Sequence, residues 1–212
     1  TEALSKDDLA FAKATVAEHR LDALISTDGD ADRPMMFDEK GEFVRGDLLG
    51  ILTAKFLGAD AVVTPVTSTS AIEQSGLFKT VVRTKVGSPF VIAGMDEAKR
   101  QGGRIVVGFE ANGGVLLGSD VSVAGGMLTA LPTRDAMLPL LCVLGLGLKE
   151  GKSVSELVAA LPERFAASGR LEHVGPEKTG PFLEKLQVAA FQATYFEGKG
   201  KISAVDRIDG VR

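Results

Sequence analysis

A chain of 212 residues, 45% apolar and 25% charged, has the make-up of an ordinary globular protein of one or two domains. Its 24 basic and 28 acidic residues leave a formal net charge of -4, which argues against a nucleic-acid binder held by phosphate neutralisation. The single cysteine, Cys142, excludes an internal disulfide framework and an all-cysteine metal cage, and its apolar neighbours suit a small core residue in a reducing, cytoplasmic setting.

Ser5 followed by Asp8 is a capping-box-like start for a helix reaching about Arg20. Residues 23–26 read as a short buried strand that opens into an acidic loop, and residues 35–37 as the next strand. A helix over 46–56 leads to a strand at 61–64, a helix over 70–76 and a strand at 80–83. Helical spacing over 89–101 precedes a strand at 104–109. The longest apolar stretch, 136–148, carries Pro139, Gly145 and Gly147. It is shorter than the ~20 residues a membrane span needs and is expected to be a buried helix. Ser153 and Glu156 repeat the cap signature ahead of a helix reaching about Ser168. Residues 169–180, rich in Gly and Pro, are the linker candidate. A helix opening at Pro181 and a hairpin over 202–211 follow. Alternating strands and helices define an α/β protein. The absence of a starting Met and a hairpin left unfinished at Arg212 lead us to expect a fragment of a larger protein.

Three loops carry residues suited to chemistry. In Asp28-Gly29-Asp30-Ala31-Asp32-Arg33, carboxylates at alternate positions can converge on one hard divalent cation, and three anions this close repel one another unless a cation neutralises them. All-oxygen donors without nearby Cys or His favour Mg²⁺ over Zn²⁺, and His19 and His173 are read as surface residues. The bland alternative is a solvated acidic turn. A cation-binding module of the EF-hand kind would place Glu39 at its twelfth position, but its sixth requires Gly and holds Arg33. An aspartate-nucleophile phosphatase would use Asp28 and Lys85, although no convincing second acidic pair accompanies them. Arg33 suits a phosphate ligand beside the metal. Lys85, in the loop after the strand at 80–83, could hold a phosphate or shuttle a proton, or be a solvated lysine. Residues 108–114 present Glu110 and Asn112, a carboxylate and an amide fit for neighbouring sugar hydroxyls, although Asn-Gly is also the commonest hairpin turn.

In this order and spacing, the loops resemble those of the α-D-phosphohexomutase family of phosphomannomutases and phosphoglucomutases. Its metal loop reads D-G-D-x-D-R, matched by Asp28, Asp30, Asp32 and Arg33, and its T-K-V-G segment is matched by Thr84 to Gly87. Its sugar-recognition loop, commonly G-E-M-S-G-H, has its counterpart at Gly108–Gly114, with Glu110 as the recognisable carboxylate. Asn112 stands where many relatives carry Ser, Gly114 replaces His, and Ser88 stands where some have His, so substrate preference does not carry over.

The resemblance implies that residues 1–43 are the C-terminal part of domain 2. Residues 44–168 would be domain 3, a mixed sheet flanked by helices, and residues 169–212 a linker and the start of domain 4. It also implies a phosphoserine, supplied by a domain 1 outside this stretch, that phosphorylates a hexose 1- or 6-phosphate through a bisphosphorylated sugar intermediate. Asp28, Asp30 and Asp32 would bind Mg²⁺, Arg33 would hold phosphate, and Lys85 would position or protonate the reacting oxygen. Glu110 and Asn112 would grip the sugar hydroxyls. The expected partner is a phosphorylated hexose, with no nucleic acid and no membrane. The fragment alone is expected to bind Mg²⁺ weakly and to be inactive.

Overall fold

The capping box at Ser5 forms in the computed structural model, which describes residues 4–165, 175–195 and 197. Ser5 Oγ accepts from the Asp8 amide at 3.1 Å and Asp8 Oδ2 from the Ser5 amide at 2.9 Å, opening helix α1 (Lys6–His19). Strands β1 (Ala23–Thr27), β2 (Pro34–Asp38) and β3 (Phe43–Val44) form an antiparallel sheet in that order. Thr27 pairs with Pro34, so residues 28–33 are the connection of a hairpin. Strand β1 is not buried as expected. It is an edge strand whose residues are half-buried or exposed, with Ile25 38% accessible.

Helix α2 (Gly46–Leu57) leads into β4 (Ala61–Pro65), a short helix α3 (Ala71–Gln74), β5 (Thr80–Thr84), α4 (Ser88–Arg100) and β6 (Val106–Phe109). Strand β7 (Val115–Leu117) follows, then a separate hairpin of β8 (Val121–Val123) and β9 (Gly126–Leu128), and β10 (Leu131–Asp135). The main sheet has the order β10-β7-β6-β4-β5, with β4 parallel to β5 and β6, and β7 antiparallel to β6 and β10. It is the mixed sheet flanked by helices that the resemblance implied, within the α/β class that the alternation of elements defined.

Strand periodicity of two sorts its side chains between the faces. Val62, Val107, Phe109 and Val115 pack with Ile51, Ala54 and Leu57 of α2, while Ala61, Val63, Val106 and Leu116 pack with Val91, Met95 and Ala98 of α4. Burial on both faces is what parallel strands require. A second stripe of α2, Leu49 and Leu52, packs with Met36 and Val44 of the first sheet and with Leu140, Val143 and Leu146 of α5 (Met137–Glu150). The hairpin loop at 28–33 and the main sheet therefore share one core through α2. They belong to one compact unit, Thr1–Arg164.

Helix α5 buries only one face. Met137, Leu141 and Leu148 are 50%, 59% and 87% exposed, which corrects the expectation of a buried helix. Helix α6 (Val154–Ala159) is also shorter than expected, since Pro162 disfavours helical backbone at the residue before it.

In the second unit, Phe165–Arg212, helix α7 (Pro176–Leu186) begins a turn before the expected start and encloses Pro181. Helix α8 (Ala189–Tyr195) follows, and Phe182, Phe191 and Tyr195 form an aromatic cluster with centroids 5.2 to 6.1 Å apart. The hairpin expected over 202–211 and His173 lie outside the described residues, as does the first half of the linker candidate, whereas its residues 176–180 belong to α7 instead of a linker. No helix among the described residues is long and apolar enough to cross a membrane.

Candidate active site

Strand order places the loops of interest at one edge of the main sheet. From β4 the chain passes to β5 on one side and then crosses to β6 on the other, so it switches direction at β4. Crevices beyond the carboxyl ends of strands at such a point are where open α/β sheets bind ligands. Lys85 directly follows β5 and Glu110 directly follows β6. Ser88 Oγ, at the start of α4, donates to Glu110 Oε2 at 3.4 Å and joins the two loops.

The loop at 110–114 is a tight turn joining β6 to β7. The Gly113 amide donates to the Glu110 carbonyl and the Glu110 amide to the Gly114 carbonyl, each at 3.0 Å. Asn112 Oδ1 accepts from the Gly114 amide at 3.0 Å, which fixes the side chain and leaves its amide nitrogen to donate to a ligand. Gly113 needs its positive φ of 97° and sits against Gly46, where a Cβ would overlap the Asn112 carbonyl carbon and the Gly113 nitrogen. Backbone contact with the start of α2 thus fixes the loop that presents Glu110, itself only 7% exposed.

At the hairpin, one carboxylate oxygen each of Asp28, Asp30 and Asp32 lie within 4.8 Å of one another. The loop closes on itself: the Ala31 amide donates to the Asp28 carbonyl at 3.1 Å, and Ala31 takes a left-handed φ of 59°. Asp28 Oδ1 accepts the Arg33 amide at 3.1 Å, and Oδ2 pairs with Arg33 Nε. Burial pushes the Asp28 carboxyl up, but the hydrogen bonds from Arg33 outweigh it and hold the group below its ordinary value. Asp32 Oδ1 is buried without a hydrogen-bond partner, the state of an acceptor that a cation would satisfy. Its nearest cation is Arg33 Nε at 3.7 Å, beyond hydrogen-bond distance, and three converging carboxylates with one such under-satisfied oxygen fit a hard divalent ion such as Mg²⁺.

A residue that sequence reasoning missed joins the two loops. Arg134, on β10, pairs through Nη2 with Asp32 Oδ2 and through Nη1 with Glu110 Oε2 at 3.4 Å. The only signal for it is the Arg134-Asp135 pair at the strand–helix junction, where Asp135 accepts the amides that open α5 at 2.8 and 3.0 Å. The hairpin also touches the 110–114 loop directly, since Pro34 borders Gly113. Lys85 stands apart: it is exposed, with its ammonium 5.9 Å from the centroid of the Phe90 ring, and no ion pair joins it to the carboxylates among the described residues.

Two alternative chemistries fare badly. The Glu39 carboxylate, needed by an EF-hand-like module, instead accepts from Ser153 Oγ at 2.8 Å and the Ser155 amide at 3.2 Å. Burial there works the other way, but these bonds, led by the one from the Ser155 hydroxyl, bring the Glu39 carboxyl down to about 2. Asp28, the nucleophile of a phosphatase reading, would need Lys85 beside it, and no ion pair joins the two among the described residues. Burial pushes the Cys142 thiol up to about 12, with Asp135 adding to it, so it is no nucleophile either.

Comparison with known proteins bears on the family to which the chain belongs. The family profile described as "Phosphoglucomutase/phosphomannomutase, alpha/beta/alpha domain III" matches residues 45–165, more than half of the chain. The chain therefore belongs to the phosphoglucomutase/phosphomannomutase family. A phosphomannomutase of Sinorhizobium fredii is 41% identical over 213 residues, covering 100% of this chain and 45% of the relative. A phosphomannomutase of Salmonella muenchen is 49% identical over 174 residues, covering 82% of this chain and 36% of the relative. The chain thus spans less than half the length of these relatives. A phosphoglucomutase/phosphomannomutase family protein of Burkholderia thailandensis superimposes with a TM-score of 0.63 at 18% identity, over 98% of this chain and 40% of its own, which speaks for the fold alone.

Proposed function

We propose that this chain supplies the metal loop and the sugar-recognition loop of a phosphohexomutase that interconverts hexose 1-phosphate and hexose 6-phosphate, mannose or glucose, in the cytoplasm. The observation that carries the reading is the junction of three converging aspartates with Glu110, through Arg134, at the carboxyl ends of parallel strands. The names of the relatives agree with it. In this reading residues 1–43 are the C-terminal part of domain 2, 44–168 domain 3, and 169–212 the linker and start of domain 4.

Asp28, Asp30 and Asp32 would hold Mg²⁺, which when bound spreads the charge that develops on a transferred phosphoryl group. Arg33, which keeps Asp28 ionised, adds positive charge beside that position and would hold phosphate. Glu110, kept in place by Ser88 and Arg134, accepts hydrogen bonds from sugar hydroxyls, and the free amide nitrogen of Asn112 donates to them. Lys85, exposed beyond β5, meets the reacting oxygen or its phosphate. A symmetric grip on hydroxyls lets either phosphorylated end of a bisphosphorylated sugar face a phosphoserine, which another segment of polypeptide must provide.

The test is an assay of hexose 1-phosphate conversion. The 212-residue chain alone should show no turnover, and adding a polypeptide that carries the phosphoserine should restore it in a Glu110-dependent way. Turnover by the chain alone would contradict the reading.

A further inference from the structure

Asp32 and Glu110 are 78 positions apart in the sequence, and a single guanidinium spans them. Arg134 lies on β10, the edge strand of the main sheet, with its side chain 35% exposed. Its carboxylate partners are 22% and 9% exposed, so the pairs are shielded from water on the carboxylate side. The division of the Asp32 oxygens is informative. Oδ2 is taken by Arg134, whereas Oδ1 is buried and has no hydrogen-bond partner, its only ion pair among the described residues being a long one to Arg33 Nε at 3.7 Å. A carboxylate held at one oxygen has lost its freedom to rotate, and its other oxygen is presented in a fixed direction. Oxygens that ligate metals are commonly held in this way by neighbours that touch no metal. The planar fork of Arg suits the task, because it can bind two carboxylates at once in fixed geometry, which Lys cannot do. Backbone packing does the same for the arginine itself: a Cβ on Gly114 would lie 2.9 Å from Arg134 Cδ and 3.0 Å from its Cγ, so the glycine leaves room for the aliphatic stem.

We infer that Arg134 is a positioning residue that couples the two loops, holding Asp32 Oδ2 so that Oδ1 is left for the cation and tying the cation's occupancy to the carboxylate that meets the sugar. This inference rests on the proposed reading of the 28–33 loop as a cation site. It has a consequence of unusual sign. A positive charge beside a divalent cation repels it, so electrostatics alone requires Arg134→Gln to bind the ion more tightly. Positioning requires the opposite.

The experiment is titration of the 212-residue chain with Mn²⁺, read by loss of the free-ion electron paramagnetic resonance signal, for the wild type, R134Q, R134K, D32N and E110Q, with melting curves to confirm folding. Expected are a wild type that binds, a D32N variant that does not, and an R134Q variant on the order of tenfold weaker than wild type. R134K, which keeps the charge and loses the fork, should also be weaker. E110Q should weaken binding less than R134Q does, and the double variant E110Q/R134Q, titrated alongside, should bind as R134Q does. If R134Q melts early, R134K decides: weaker binding supports positioning, and unchanged binding overturns it. R134Q binding as tightly as wild type or more so, while D32N abolishes binding, overturns the coupling and leaves the cation site standing. A wild type that takes up no Mn²⁺ overturns both.

Discussion

The two loops that meet at Arg134 are built in opposite ways. The 28–33 loop is closed by its own residues, with Arg33 reaching back to Asp28 through its amide and its guanidinium. The 110–114 loop closes its turn locally, but Glu110 takes its orientation from Ser88 and Arg134, and its backbone rests on Gly46. The first is therefore a cassette that a short motif can specify, whereas the second depends on the whole sheet and on the start of α2. Mutations far from the sequence of the second loop should damage it. Mutations inside the first should stay local.

The largest effect is expected at Gly46. A side chain there would overlap the backbone of Asn112 and Gly113, and neither backbone can yield without moving a helix or a strand. Gly46→Ala should cost about 3 kcal/mol or more, as overpacking against rigid backbone does. Urea denaturation measures this, and a loss under 1 kcal/mol would show that the 110–114 loop is not buttressed by α2.

Glu39 sharpens the contrast from the other side, since it ties the turn after β2 to the start of α6 across more than a hundred residues of chain. Glu39→Ala removes a charged acceptor from two serine hydroxyls and an amide, and should destabilise by about 2 kcal/mol. Its carboxyl ionises lower in the folded chain than in the unfolded one, so its contribution is whole above about pH 4.5 and is lost as pH falls toward 2. Wild-type stability should therefore fall more steeply with acid than that of the variant. Parallel curves would assign Glu39 no role.

The smallest effect belongs to the local cassette. Ala31 holds a left-handed φ of 59°, which costs a residue with a Cβ roughly 1 kcal/mol and glycine little. Ala31→Gly relieves that strain but loosens the unfolded chain, so the melting temperature should rise slightly or stay level. A clear fall would mean that the Ala31 side chain does more than fit the turn.

The same contrast explains what the sequence makes legible. The D-G-D-x-D-R loop can be read from six consecutive residues because the hydrogen bonds that close it lie within them, and Arg134 only adds a hold from outside. Helix α1 can be read from Ser5 and Asp8 because both halves of its capping box are local. The strands Ala61–Pro65 and Val106–Phe109 stand out through apolar runs that burial on both faces of a parallel sheet demands. Strands β7, β8 and β9 are hidden, since each has three residues and their pairing partners set them rather than any pattern of their own. Arg134 is hidden for a related reason. Only the adjacent Asp135 marks it within its own strand, and its partners come from two distant turns. Pro162 ends α6 where the capping signature alone suggests a longer helix, since a cap marks where a helix starts and not where it stops.

Calorimetric titration of the 212-residue chain with Mg²⁺ and with Ca²⁺, repeated on the variant carrying D28N, D30N and D32N together, bears most directly on the central claim that these aspartates form a magnesium site. The expected result is weak Mg²⁺ binding at one ion per chain, no tight Ca²⁺ binding, and loss of the signal in the variant. Tight Ca²⁺ binding, or Mg²⁺ uptake that survives the triple substitution, would contradict it.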